Sequence, residues 1–445
     1  MNLEKISEML SKKNYNEIRN VFKDVDEVDI ADILDKFDAK TTLILFRLLP
    51  KEKAADVFTN LSIDQKTEIS MLVNDKELTS ILNDLFFDDK IDYLEEMPAS
   101  VVKRILINAS ENERRLINQF LNYPEDSAGS LMTIEFVDLK REMHVSAALE
   151  RIRRIGLDKE TIYTCYVIDS KRRLEGTVSL KNLVFAPADN TVGDIMKQDP
   201  IVLHTHDDQE LTADIFKRYD LLAAPVVDQE NRLVGIITID DIIDVIDEEN
   251  TEDFHRMAAL QPTREEYLES GVLSLAKKRI PWLLVLMISA TFTGYIIQRY
   301  EKSLESVVAL AVFIPMLMNT GGNAGSQAST LVIRGLALGE LEFKHTFKIL
   351  WKEIRVSLLV GTSLAAVNFL RTYYLEGYPI DIATTVSLTI LVTIVTAKVI
   401  GSVLPILAKQ LKMDPAIMAS PLITTIVDAV ALIVYFTFAT RILGL

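Results

Sequence analysis

The sequence predicts a multidomain, mainly α-helical protein that combines a cytoplasmic α-solenoid, an α/β pair of repeated units and an all-α five-span transmembrane domain. Length is the first observation, because 445 residues exceed the roughly 250 that a single hydrophobic core supports. Charge is the second: residues 280–445 carry 12 Lys and Arg against 9 Asp and Glu, whereas residues 1–279 carry 36 against 55. The third is internal repetition, with two different periods before residue 250.

The composition excludes several classes of function. One cysteine, Cys165, rules out a disulfide scaffold, and the acidic first half would repel phosphate, so no nucleic-acid partner is expected. The sequence contains no nucleophile elbow, Walker loop or dinucleotide fingerprint, and we therefore expect no enzyme. Residues 1–5 lead into a polar amphipathic stretch without an apolar signal core, so the first half is expected to stay in the cytoplasm.

Residues 1–127 are predicted to form a helical, acidic domain. The motif Ala-Asp-Ile-Leu at 31–34 recurs as Ala-Asp-Val-Phe at 55–58 and more loosely at 79–82, a spacing of 24 residues. That period predicts stacked helical hairpins. Asp88 and Asp92 are four residues apart and so face one side of a helix, which could equally be a solvated acidic surface.

Residues 128–190 and 191–250 are predicted to be two copies of one α/β unit. Gly176 and Gly235 are 59 residues apart. Each begins a four-residue motif after a β-rich run, which is Gly-Thr-Val-Ser at 176–179 and Gly-Ile-Ile-Thr at 235–238. This hairpin between helices resembles a tandem pair of cystathionine-β-synthase (CBS) domains. Such pairs bind adenine nucleotides with an acid three residues after the Thr or Ser, where the second copy has Asp241 but the first has Asn182. ATP binding is therefore an open possibility.

An acid-rich helix is predicted at 240–253, with Asp241, Asp244 and Glu248 on one face. Clustered carboxylates repel one another unless cations bind, and hard divalent cations prefer such oxygen ligands. A solubilising surface explains the pattern equally well. Residues 251–279 are expected to be a connecting (plug) helix, whose part 265–279 feeds directly into the first span.

Five membrane spans are predicted within 280–445, because a helix crosses the hydrocarbon core with about 20 apolar residues. They are roughly 280–297, 307–338 (long and polar in its middle), 356–370, 382–408 and 416–440. Lys and Arg concentrate before the first span and after the second and fourth. The positive-inside rule then places the N-terminus in the cytoplasm and Leu445 outside. Five spans make a thin bundle, which a homodimer with a pore near its axis would complete.

One acidic residue is predicted deep in the membrane. Asp428 follows Asp414 by 14 residues, which is about 21 Å along a helix, and Thr424 lies one turn before it. A carboxylate at that depth costs about 3 kcal/mol, so it should face protein, water or an ion. Lys398 lies at a similar depth, and an internal Lys398–Asp428 ion pair is the alternative without transport.

The second span contains a polar, small-residue stretch at 319–330, which includes Asn323 and Gln327. Such a stretch can face a cavity or a packed neighbour but not lipid. A helix-packing surface alone is the competing interpretation, although Asn323 and Gln327 are larger than close packing needs.

The order of the helical acidic repeat, CBS pair, connecting helix and five spans resembles the MgtE family of magnesium channels. The closest local matches are 315–327 and 414–428. The resemblance implies a homodimer in the inner (plasma) membrane lipid, with a pore between subunits that admits Mg²⁺ to the cytoplasm. It also implies closure by intracellular Mg²⁺ bound between the acidic cytoplasmic domains, with Mg²⁺ and a second copy of the chain as partners.

Carried over position by position, the resemblance makes Asp428 the pore carboxylate that meets hydrated Mg²⁺, with Thr424 beside it and Asn323 in the polar stretch. The implied regulatory acids are Asp56, Asp88 and Asp92 in the helical domain and Asp220, Asp241, Asp244, Glu249 and Glu252 in the CBS and linker region. Two positions depart from the family pattern. Ser420 precedes Pro421 where Asn is common, and Lys398 is unusual beside a cation pathway.

Other functions fit parts of the pattern. A transporter of Co²⁺, Ni²⁺ or Mn²⁺ would use the same oxygen-lined pathway. A membrane-anchored adenine-nucleotide sensor would bind nucleotide without ion flux. A CBS-regulated anion channel is disfavoured by Asp428 and by the lack of an Arg in mid-span.

Overall fold

A computed structural model describes residues 3–263, 267, 270–418 and 420–444 of the chain. The residues group into two compact units, Met1–Ile246 and Asp247–Leu445.

Over the described residues from 3 to 120, ten short helices form the first part of the first unit: α1 (Leu3–Ser11), α2 (Tyr15–Lys23), α3 (Glu27–Leu34), α4 (Ala39–Phe46), α5 (Lys51–Thr59), α6 (Ile63–Leu72), α7 (Asp75–Asn83), α8 (Phe87–Glu96), α9 (Ala99–Asn108) and α10 (Glu111–Phe120). From α5 to α10, each helix begins 24 residues after the start of the helix two places before it. The predicted period is confirmed and extends to a fourth hairpin. Helices α3, α5, α7 and α9 contact one another in turn, around a core that includes Ile30, Phe58 and Ile91.

The second part of this unit contains two small sheets. The first comprises β1 (Asp138–Leu139), β2 (Thr164–Ile168), β3 (Leu174–Ser179) and β4 (Lys197–Gln198), with α11 (Val145–Ile155), the 3₁₀ turn Gly156–Asp158, α12 (Leu180–Phe185) and α13 (Val192–Ile195). The second comprises β5 (Leu203–His204), β6 (Ala223–Val227) and β7 (Leu233–Thr238), with α14 (Gln209–Tyr219) and α15 (Ile239–Met257). In each sheet a parallel pair precedes an antiparallel hairpin, and the hairpins lie 59 residues apart, as the repeat predicts. Cys165 is buried in β2.

The segment 251–279 is not one helix, so that expectation was wrong. Helix α15 continues to Met257, and the chain then turns at Ala259, whose φ is 54°, while the Leu260 N–H donates to the His255 carbonyl at 2.8 Å. Pro262, which has no N–H, follows this helix end. Of the helix expected over 265–279, residues 272–279 begin α16, and 265, 266, 268 and 269 lie outside the described residues.

The second unit contains five long helices among its described residues: α16 (Val272–Arg299), α18 (Ala309–Ala337), α19 (Thr346–Leu370), α20 (Ile380–Gln410) and α21 (Ser420–Leu443). The short α17 (Glu301–Ser306), the 3₁₀ turns Phe343–His345 and Pro415–Met418 and the π-helical turn Arg371–Leu375 connect them. Four described segments are long and apolar enough to cross a membrane, namely Val272–Arg299, Phe343–Leu375, Ile380–Gln410 and Pro415–Leu443. Helix α18, with its polar middle, is the fifth long helix.

Helix α20 is the centre of this bundle, because α18, α19 and α21 all pack against it. The crossing of α18 and α20 is a backbone contact: a Cβ atom on Gly401 would overlap the carbonyl oxygen of Gly325. Glycine at both positions therefore sets the distance between the two helices.

Candidate ion pathway and acidic cytoplasmic site

The polar stretch of α18 has two different faces. Gly321, Gly322 and Gly325 are buried, and a Cβ on any of them would come within 2.9 Å of a side chain on α20 or α21. Asn323 and Gln327 are exposed, together with Asn319, whose Oδ1 accepts from Asn323 Nδ2 at 3.3 Å. The packing interpretation thus fits the glycines. The exposed amides instead need water or another polypeptide, because lipid offers them no hydrogen bonds.

Asp428 is partly exposed on α21, and no described residue forms a hydrogen bond or an ion pair with it. Thr424, one turn earlier on α21, packs against α18. A Cβ on Gly322 would lie 2.9 Å from Thr424 Cγ2, and the Thr424 hydroxyl donates to the Pro421 carbonyl at 2.9 Å. Helix α21 begins at Ser420, whose side chain lies outside the described part of the structure.

The alternative ion pair between Lys398 and Asp428 is wrong, because Lys398 pairs with Glu353 of α19. Lys398 Nζ and Glu353 Oε2 are 3.6 Å apart, and their side chains are 7% and 12% exposed. The antiparallel register that places Gly361 against Leu391 also brings these two charges together, about two turns away. Glu353 was missed from the sequence, because Lys352 and Arg355 make that segment read as the interfacial end of a span.

In the first unit, three of the predicted regulatory acids interact. Burial raises the pKa of Asp88 well above its ordinary value, and the nearby carboxylates of Asp241 and Asp89 raise it further. Burial, followed by the charge of Asp241, raises the pKa of Asp92 to about 7. Burial raises the pKa of Asp241 to about 6, although the Thr238 hydroxyl donates to its Oδ2 at 2.8 Å.

Further acids join this group that sequence reasoning did not single out. Burial, together with the charges of Asp240 and Glu135, raises the pKa of Asp89 to about 6 and that of Glu160 to about 8. Glu160 Oε2 is buried without a hydrogen-bond partner. These residues come from separate segments, so no spacing rule could have joined them. Within the described ranges, no three His, Cys, Asp or Glu side chains are close enough to hold one metal ion together. The acids are therefore crowded like charges, which cations would relieve.

The remaining predicted regulatory acids lie elsewhere. Asp56 is exposed but raises the pKa of Asp89 through its charge. Asp220 ends α14 with a φ of 51° and is exposed, as is Asp244 on α15. Glu249 and Glu252 belong to the second unit.

In the second unit, Arg256 forms ion pairs with both Glu252 and Asp414. The other carboxylate oxygen of Asp414 accepts from the Ala416 N–H at 2.7 Å and so caps the turn before α21. Burial, followed by the charges of Asp414 and Glu249, raises the pKa of Asp253 to about 6. The last turn of α15 is thereby attached to the loop that leads into the helix bearing Asp428.

Comparison with known families agrees with this architecture. Residues 314–438 match the MgtE divalent cation transporter family, residues 25–126 the MgtE intracellular N domain, and residues 192–248 the CBS domain. The magnesium transporter MgtE of Thermus thermophilus is 35% identical over 442 residues, which cover 98% of both chains. The chain belongs to the MgtE family. MgtE of Bacillus subtilis is 31% identical over 424 residues, 93% of both chains.

Solved structures extend the likeness to the cytoplasmic part. The cytosolic domain of the Mg²⁺ channel MgtE, crystallised in complex with ATP, covers 55% of this chain and is itself covered completely, at 34% identity and a TM-score of 0.52. The soluble part of a magnesium transporter covers 56% of this chain at 30% identity, with 97% of its own length matched and the same TM-score of 0.52. The first belongs to a Mg²⁺ channel and the second to a magnesium transporter. The family match and the long apolar helices make this chain a membrane protein.

Proposed function

We propose that this chain transports Mg²⁺ into the cytoplasm through a pore formed by two copies. In this proposal α18 also spans the membrane, the N-terminus is cytoplasmic and the C-terminus lies outside the inner (plasma) membrane. The exposed amides of α18, including Asn323, and the carboxylate of Asp428 line the pathway, and Thr424 holds α21 against α18. The relatives named magnesium transporters support the choice of ion.

The observation that carries the pore assignment is Asp428, a membrane carboxylate that forms no ion pair within the described part of the chain. Lys398, the cation predicted at a similar depth, pairs with Glu353 instead. Mg²⁺ dehydrates reluctantly and keeps several waters. One carboxylate from each of two copies, with amides nearby, suits a hydrated dication. Two such carboxylates would repel each other without the ion, so they would titrate as a coupled pair.

The test is Mg²⁺ entry into proteoliposomes loaded with a Mg²⁺ indicator, with internal Mg²⁺ kept low. Asp428→Ala is expected to abolish the uptake that the wild type shows, while remaining folded and of unchanged oligomeric size. Asp381→Asn, which removes an exposed acid at the start of α20, is the matched control and should retain uptake. Unchanged flux in Asp428→Ala would contradict the pore assignment.

The same assay separates the competing functions. Faster uptake of Co²⁺, Ni²⁺ or Mn²⁺ than of Mg²⁺ would favour a transporter of another divalent cation. Anion flux in place of cation flux would favour a CBS-regulated anion channel. A well-folded wild type without any flux would favour a membrane-anchored nucleotide sensor.

Regulation by intracellular Mg²⁺ is the second part of the proposal. Mg²⁺ would bridge the acids of α8 (Asp88, Asp92) and α15 (Asp241), favour the compact form of the cytoplasmic unit and close the pore. We expect millimolar Mg²⁺ to protect residues 1–279 of the full chain from protease. Asp88→Asn combined with Asp92→Asn should weaken that protection, whereas Glu142→Gln should not, because Glu142 is exposed and is not one of the implied regulatory acids. Digestion that is identical with and without Mg²⁺ would rule the sensor out.

ATP binding to the CBS pair is a separate proposal, supported by the related cytosolic domain that was crystallised with ATP. In this chain the Asn182 N–H donates to the Ser179 hydroxyl oxygen at 3.1 Å, and Asp241 is held by Thr238. Equilibrium dialysis of the full chain with radiolabelled ATP tests it. Binding that Asp241→Asn leaves unchanged would argue against a ribose contact by Asp241.

A further inference from the structure

The two CBS hairpins are joined at their turns, and this junction brings together arginines from both repeats. The Leu174 N–H donates to the Asn231 carbonyl at 3.1 Å, and the Leu233 N–H donates to the Arg172 carbonyl at 2.9 Å. Each turn is also fixed internally. Asp228 Oδ1, for example, accepts from the Glu230 and Arg232 N–H groups at 2.9 and 2.8 Å.

The two guanidinium groups retain most of their hydrogen-bonding capacity. Arg172 donates once, to the Leu233 carbonyl at 3.3 Å. Arg232 has carboxylate oxygens of Glu230 and Asp228 at 3.7 and 3.9 Å, which are beyond hydrogen-bond distance. A guanidinium has five donors, so several donors on each arginine are open to a ligand.

Both arginines line one cavity of about 400 Å³, which lies between the joined turns and α10 of the helical domain. The lining also includes Gln119 and Asp228. Apolar walls come from both sides, with Leu116 and Phe120 on α10 and Val234 on β7. Cationic forks beside apolar walls are the composition expected of a site for an organic anion.

We propose that this cavity binds a small phosphate monoester, whose phosphoryl group contacts Arg172 and Arg232 and whose organic part lies against Leu116 and Phe120. A phosphoryl group has three acceptor oxygens, enough for forks that approach from two separate turns, and arginine suits such planar multidentate recognition. The bound ester would link α10 of the helical domain to both CBS repeats. Neither Asp241 nor Asn182 lines this cavity, so it is distinct from the nucleotide position that the CBS resemblance implies.

The test uses phenyl phosphate as the probe with the purified full chain in detergent, measured by isothermal titration calorimetry. Arg172→Gln and Arg232→Gln are each expected to weaken binding about tenfold or more, because each variant loses a charge-assisted hydrogen bond to the probe. Arg173→Gln is the matched control, because Arg173 lies in the same turn and carries the same charge but does not line the cavity. All three arginines are exposed, so the variants should keep the wild-type melting temperature.

The outcomes are distinguishable. The proposal is supported if Arg173→Gln still binds phenyl phosphate, if phenol does not bind, and if saturating ATP does not displace the probe. No binding at millimolar phenyl phosphate overturns it, as does an equal loss in all three variants, which would indicate general charge attraction only. Displacement by ATP would also overturn it, since the probe would then occupy a nucleotide site.

Discussion

At the scale of single residues, the buried pair of Glu353 and Lys398 is the most demanding feature of the membrane unit. Removal of one partner leaves the other charged and buried, which costs about 3 kcal/mol or more. We therefore expect Glu353→Gln to lower the melting temperature and the yield of the purified transporter clearly. Glu353→Gln combined with Lys398→Met should recover much of the loss, because no uncompensated charge remains.

A matched control for this pair exists in the same unit. Glu376 pairs with Arg371 at 3.3 Å, but both side chains are more than one third exposed, at 36% and 43%. Such surface pairs contribute at most about 1 kcal/mol. Glu376→Gln should therefore leave the melting temperature nearly unchanged. A drop equal to that of Glu353→Gln would mean that burial does not set the cost.

The same residues show where sequence reasoning ends. Depth counted along a helix predicted similar positions for Lys398 and Asp428, and depth alone made Asp428 look like the partner of Lys398. Which charges meet depends on helix–helix register, here set by contacts such as that of Gly361 with Leu391. Glu160, Asp89 and Asp88 likewise converge only after two domains have folded against each other.

At the scale of secondary-structure elements, the contact between Gly325 of α18 and Gly401 of α20 determines how the bundle closes. We expect Gly401→Ala to force these helices apart, lower the melting temperature by several degrees and impair ion uptake. Gly294→Ala on α16 is the matched control, because nothing lies within 4 Å of the Cβ it would add. Equal stability of the two variants would contradict the close crossing.

Element repeats were the most predictable part of the fold. Spacings of 24 and 59 residues can be read directly from the sequence, because each repeat must place equivalent apolar side chains in a shared core. The connecting segment was less predictable, since its acidic helical pattern continues past the true helix end at Met257. Pro262 was the available signal for that break.

At the scale of the whole molecule, the acidic group makes stability depend on pH. The pKa values of Asp89, Asp92, Asp241 and Glu160 are raised to about 6, 7, 6 and 8. Unfolded carboxyls titrate near 4. The folded form therefore binds more protons between about pH 4 and 8, and the stability of the Mg²⁺-free protein should fall as pH rises through that window and level off above it.

Mg²⁺ should reverse this trend, because it competes with protons for the same carboxylates. We expect the stabilisation by millimolar Mg²⁺, measured as a shift in melting temperature against EDTA, to be larger at pH 8.5 than at pH 5.5. Asp89→Asn combined with Glu160→Gln should flatten the pH dependence in EDTA. A Mg²⁺ shift that is independent of pH would mean that the ion binds elsewhere.

The burial of Cys165 makes the natural chain close to a cysteine-free background for chemical labelling. Its side chain is inaccessible in β2, and burial raises the pKa of its thiol to about 12, so it offers almost no reactive thiolate at neutral pH. A cysteine introduced at any exposed position would then be the sole reactive thiol of the chain. Spin labels, fluorophores and crosslinkers could be attached one site at a time without first removing a native residue, for example at position 323 to ask whether two copies approach each other there.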